Sequence, residues 1–96
     1  MATFISLINF TEQGIKNVKD SPARAQAFAE MAKKLDIEVK GIYWTVGSYD
    51  AVVIADGSDE AVTTALLTVG SAGNVRTQTL RAFDADSMRK ILANMP

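Results

Sequence analysis

Asp50 lies in a run of aromatic and β-branched residues, Tyr43-Trp44-Thr45-Val46-Gly47-Ser48-Tyr49-Asp50-Ala51-Val52. A carboxylate among apolar side chains has its charged form disfavoured, and such a group can serve as a general base. The same residue could instead accept hydrogen bonds from Thr45 or from backbone amides near a turn, the commoner fate of a buried polar group. Tyr43, Trp44 and Tyr49, with the Thr45 hydroxyl, could line a pocket for a planar ligand. They serve equally well as core or interface aromatics. Lys16 and Lys19, with Arg24 nearby, could hold a carboxylate or phosphate beside a helix N-terminus, or could form a solvated charged loop. Arg76 and Arg81 fall on opposite faces of one strand, so they do not form a clamp. Gln78 shares the Arg76 face with Leu80.

The rest of the composition narrows the chemistry. The 96 residues contain no histidine and no cysteine. Imidazole ligation of zinc or haem, Ser-His-Asp catalysis and thiolate chemistry therefore have no residues to use. The expectation is a protein with no metal and no cofactor. Ten basic and eleven acidic residues give a net charge of −1, which offers no electrostatic footprint for nucleic acid or an anionic membrane. No apolar run approaches the roughly 20 residues of a membrane-spanning helix. Met1 to Phe10 lacks the basic region and cleavage site of a signal peptide, so the expected location is the cytoplasm. Hydrophobic residues make up 48% of the chain, with mean hydropathy +0.08. A domain this small has little interior, so the excess points to a subunit interface.

The elements that must position these residues can be read in order, within one domain spanning residues 1–96. Thr3–Phe10 is a strand with Phe4, Ile8 and Phe10 on one face and Ile5 and Leu7 on the other. Thr11–Asp20 reads as a loop with at most one helical turn. Ser21 as N-cap and Pro22 at the first helical position open a helix whose buried stripe is Ala25, Phe28, Met31, Ala32 and Leu35. Ile37–Val46 is a strand with Gly41 as a bulge or close-approach point. Gly47-Ser48 reads as a two-residue hairpin turn leading into a strand over Tyr49–Asp56. Ser58 caps a helix with Val62, Ala65, Leu66 and Val69 buried, ended by Gly70 and Gly73. Val75–Phe83 is the last strand. Asp84 then caps a helix that buries Met88, Ile91, Leu92 and Met95. The order is a ferredoxin-like α+β fold, βαββαβ with an extra C-terminal helix and a four-stranded antiparallel sheet.

The turn fixes which residues share a face. It pairs Val46 with Tyr49, Thr45 with Asp50, Trp44 with Ala51 and Tyr43 with Val52. One face then carries Ile42, Trp44, Val46, Tyr49, Ala51, Val53 and Ala55. The other carries Gly41, Tyr43, Thr45, Asp50, Val52 and Ile54. Both are apolar, and helices can cover only one. Sheet-to-sheet association of two copies is the expected remedy.

Several segments together resemble the GYD domain family. They are Gly47-Ser48-Tyr49-Asp50, preceded by Lys40-Gly41-Ile42-Tyr43-Trp44, the loop Thr11-Glu12-Gln13-Gly14-Ile15-Lys16, and Gly73-Asn74-Val75-Arg76-Thr77. The resemblance spans nearly the whole chain and implies a dimeric α/β barrel in which two ferredoxin-like sheets pack face to face. Relatives by fold include cofactor-free monooxygenases, lactone isomerases, haem enzymes and effector domains of amino-acid-responsive regulators. Their activities transfer only by analogy of fold.

Three functions are compatible with this reading. The first is a small-molecule-binding homo-oligomer, a sensor or carrier, with Tyr43, Trp44, Thr45, Tyr49, Lys16 and Arg76 as ligand contacts. The second is a cofactor-independent enzyme of monooxygenase or isomerase type with Asp50 as base and Tyr43 or Tyr49 orienting the substrate. The third is a structural assembly unit.

Overall fold

The computed structural model describes residues 1–96. Strands β1 (Ala2–Phe10), β2 (Glu38–Trp44), β3 (Ala51–Gly57) and β4 (Val75–Ala82) form one antiparallel sheet in the order β2-β3-β1-β4. Helices α2 (Ser21–Lys34) and α3 (Asp59–Ser71) are the two crossovers of the ferredoxin-like topology. A short helix, α1 (Glu12–Lys16), follows β1, and α4 (Ala85–Ala93) ends the chain.

Strand parity sorts the side chains as the sequence requires. Phe4, Ser6 and Ile8 pair with Ala55, Val53 and Ala51 on the helix-covered face. Thr3, Ile5 and Leu7 pair with Asp56, Ile54 and Val52 on the open face. The core is small: Ala32, Ile37, Val53, Ala55, Val62 and Ala65, with Phe28, Met31, Leu35 and Leu66 packed against it. The chain reaches it from α2 through Asp36, held at φ 59, while Ile37 N–H donates to Ala32 O at 2.9 Å. That left-handed cap turns the backbone sharply and drops Ile37 straight into the interior.

The β2–β3 hairpin keeps the expected register but not the expected turn. Tyr43 pairs with Val52 and Trp44 with Ala51, and Thr45 N–H donates to Asp50 O at 2.9 Å. Beyond that pair the strands separate, so Thr45–Asp50 is a loop rather than a two-residue turn. Gly47 has the positive φ expected of it, +130°. The loop opens because the Tyr49 carbonyl is taken by the Thr45 hydroxyl at 2.6 Å rather than by a cross-strand amide. Freed from the ladder, Tyr49 does not follow the parity that put it beside Trp44. Its hydroxyl donates to Gln78 Oε1 at 2.9 Å, on the open face. The bulge falls at Lys40, between Val39 and Gly41, next to the glycine that allows it.

Helix boundaries differ in instructive ways. α2 begins after a single 3-10 turn (Val18–Asp20), with Asp20 at the N-cap position. Ser21 is not the cap: its backbone is already helical, at φ −60° and ψ −36°, and its hydroxyl accepts the Trp44 indole N–H at 3.1 Å. Ser58 and Asp84 do cap α3 and α4, accepting from the amides of Ala61 and Ser87. α3 continues through Gly70 and ends before Gly73. The expected burial of the α4 stripe is overturned. Met88, Ile91 and Leu92 are 44%, 42% and 49% exposed, and Met95 is exposed too. An amphipathic stripe is buried only by a surface to lie on, and the single chain supplies none.

Candidate functional site

The helix-covered face is not uniformly filled. At the end where Ala32 and Ala65 meet Ile37, Val53, Ala55 and Val62, side chains close on one another. Toward the other end a cleft of about 330 Å³ lies between α2, α3 and the sheet. Its floor includes Ile8, Phe10, Trp44 and Thr77 from the strands, and its walls Phe28 and Met31 from α2 with Leu66 and Val69 from α3. Ala25, Ala27, Ala51 and Ala72 also line it. Methyl groups at these positions leave a volume that their larger neighbours do not reach across.

Trp44 is the sequence-selected residue that lines this cleft. The bond from its indole to Ser21, a buried residue, fixes the ring against the start of α2. The lining carries a single charged side chain, Arg24. Its Nη1 donates to the carbonyl of Asn17 at 3.0 Å, while Nη2 is shut off from solvent and has no hydrogen-bond partner. No carboxylate forms an ion pair with it.

The other candidates lie elsewhere. Asp50 stands where the β1–β3 ladder runs out. Its amide donates to Ile8 O at 2.8 Å, and its Oδ2 accepts the Phe10 amide at 2.8 Å. The carboxylate thus takes the place of the backbone carbonyl that the loop withdraws from the ladder, which is what the structural alternative for this residue requires. Backbone amides, not Thr45, supply its partner. Tyr43 is 59% exposed on the open face, its ring lying over Gly41, where a Cβ would meet Cε2 at 2.7 Å. Arg76 pairs with Asn9 across β1 and β4, on the same face as Gln78. Lys16 is a solvated side chain 3.6 Å from Glu12 on α1. The structure therefore divides the predicted set: Trp44, 47% exposed, at the edge of the cleft on the helix face, Tyr43, Tyr49 and Arg76 on the open face, Asp50 and Thr45 at the hairpin end, Lys16 in solvent.

Two aspartates have depressed pKa values. Asp56 lies on the open face, where the Thr3 hydroxyl donates to it at 2.6 Å and Lys40 approaches to 3.4 Å. The Thr3 bond is the larger cause, Lys40 the lesser. Asp84 is lowered by the Ser87 amide it accepts as a helix cap.

Two segments distant in sequence close on each other beside the cleft. Thr11 N–H donates to Asn74 O at 3.0 Å and its hydroxyl to Gly73 O at 2.6 Å. Gln13 Nε2 reaches Asn74 Oδ1 at 3.0 Å. Gly14 packs so closely that a Cβ there would come within 1.9 Å of Asn74 O. Thr11–Gly14 and Gly73–Asn74 are thus one clasp tying α1 to the entry of β4.

Fold and cleft together define a ferredoxin-like α+β domain with an apolar cleft beneath its crossover helices. The chain belongs to the GYD domain family, whose sequence profile matches residues 4–92. It is also similar to the crystal structure of TTHA0845 from Thermus thermophilus, at 30% identity and a TM-score of 0.52, covering 88% of this chain and 96% of that one. No curated protein matches it. The hairpin, clasp and β4 segments that carried the resemblance are those that hold the loop end of the sheet together.

Proposed function

We propose that the protein is a small-molecule-binding homo-oligomer, a sensor or carrier, with its binding site between α2, α3 and the sheet. The observation that carries this reading is the 330 Å³ apolar cleft. Pockets for small ligands are concave and mainly apolar with few polar groups.

Self-association rests on the open face. Ile5, Leu7, Val52 and Ile54 are half-buried there with no layer above them, and Leu80 is exposed. No helix of the chain covers that face. The apolar side of α4 is a second surface without a partner, and every residue from Phe83 to Pro96 is exposed. A second copy supplies the same apolar face and the same helix, so a two-fold pair covers both surfaces at once. The enzyme alternative has less to stand on: Asp50 is engaged by the Phe10 amide and does not line the cleft.

Trp44 is the single tryptophan and lines the cleft, so its fluorescence reports occupancy. Titration with 1-octanol is expected to shift Trp44 emission saturably. Ala25→Phe, which fills the cleft from α2, should abolish the shift with the circular dichroism unchanged. A tryptophan signal indifferent to the probe in the folded wild-type protein overturns the reading.

A further inference from the structure

The lining of the cleft includes polar side chains, and most of their hydrogen-bonding capacity is already spent inside the protein. Ser6 shares a hydrogen bond of 2.8 Å with Thr79 on the neighbouring strand, and Ser21 accepts the Trp44 indole. The Thr68 hydroxyl donates to Thr64 O at 2.7 Å along α3, and Asn74 Oδ1 is held by Gln13. Arg24 is the one charged residue of the lining, which contains no lysine, aspartate or glutamate. Its Nη1 donates to the carbonyl of Asn17, a residue outside the lining. Its Nη2 is closed off even to a water-sized group. An arginine can cover apolar surface with its stem while its charged head is held elsewhere. The polar groups left over are neutral: the Thr77 hydroxyl and the Asn74 amide nitrogen.

We infer that the ligand is an uncharged apolar molecule, a hydrocarbon body with a hydroxyl or carbonyl as its polar group. This rests on the reading of the cleft as a ligand site and adds the ligand's charge. A charge taken out of water without a partner costs far more than a hydroxyl that finds one. That cost falls on either sign here. A carboxylate meets neither Nη of Arg24 as a free donor, and an ammonium meets no carboxylate at all. A neutral oxygen needs only a neutral donor, and the body is left to Phe28, Met31, Leu66 and Val69. Nucleotides, sugar phosphates, amino acids and fatty acids, all ionised at neutral pH, are thereby set aside. The sequence placed Arg24 beside a possible anion site; the structure spends its guanidinium on the entry to α2.

The test compares cyclohexylmethanol, cyclohexanecarboxylate and cyclohexylmethylammonium at neutral pH, by Trp44 fluorescence and by calorimetry. The three share one carbon skeleton and differ in charge, and the compact ring keeps the charge close to the cleft walls. Wild-type protein is expected to bind the alcohol at least about tenfold more tightly than either ion. Ala25→Phe is expected to abolish binding of the alcohol. Either ion binding as tightly as the alcohol overturns the inference while leaving the cleft as a binding site. Binding of the alcohol that survives Ala25→Phe overturns it by placing the site elsewhere. Failure of the alcohol to bind also overturns it, and if 1-octanol is silent as well, the reading of the cleft falls with it.

Discussion

The two faces of the sheet are built from the same kinds of residue and have opposite fates. Val53 and Val52 are neighbours on β3. Val53 is 6% exposed beneath the helices, whereas Val52 points to the open face with Ile54, Ile5 and Leu7. The covered face already has its second layer and spends the remaining space on a cleft. The open face has apolar side chains and no layer at all. Within one 96-residue chain, the first face thus holds the core and the cleft, and the second stands uncovered.

The sharpest way to separate them is to place a charge on each in turn. Val53→Asp buries an unpaired carboxylate and should cost on the order of 4 kcal/mol, enough to unfold much of the protein in circular dichroism. Val52→Asp should leave the monomer folded and abolish self-association in sedimentation. If both variants unfold alike, the open face is part of an obligate core and the distinction collapses. A folded wild-type protein that sediments as a monomer at micromolar concentration would remove the association side of the comparison.

A smaller effect is expected at the hairpin end, where Asp50 holds the loop that carries Tyr49 onto the open face. Asp50→Ala removes the acceptor for the Phe10 amide and should cost about 1–3 kcal/mol in urea unfolding. Asp50→Asn keeps an acceptor oxygen and should lose much less. Neither should alter probe binding at Trp44. A turnover found in the wild type and abolished in Asp50→Asn, with binding intact, would restore this residue as a base.

Acid provides the mildest probe. The folded-state pKa of Asp56 and of Asp84 lies below the ordinary value of 3.8. Their contribution to stability is therefore full above that value and is lost as pH falls through the lowered folded value. Urea midpoints should decline as pH drops below 3.8. Thr3→Val should reduce the Asp56 part on the open face and leave the Asp84 part unchanged.

Local chemistry made much of this molecule legible from its residues. Alternation along β1 and β3 sorts side chains to two faces whatever surrounds them, because strand side chains alternate by geometry. The pairing of Trp44 with Ala51, the caps at Ser58 and Asp84, and the bulge beside Gly41 follow from equally local rules. Tyr49 escaped the parity rule because the Thr45 hydroxyl captured its carbonyl and opened the loop. Ser21 escaped its capping role because the 3-10 turn before it carries the helical backbone up to and through Ser21.

The cleft was not legible, and the reason is physical. Its residues come from both helices and all four strands, and its volume depends on how far apart α2 and α3 settle over the sheet. Side-chain spacing along one element says which residues face inward, not whether they meet. The sequence determined by itself the strand faces, the amphipathic helices and the absence of histidine and cysteine chemistry, since these depend on residue type and local period. Only the tertiary structure decided that Trp44 and Arg24 share an unfilled space, that Asp50 closes a ladder, and that the α4 stripe stands uncovered. Each of those is a distance between parts of the chain that no local rule sets.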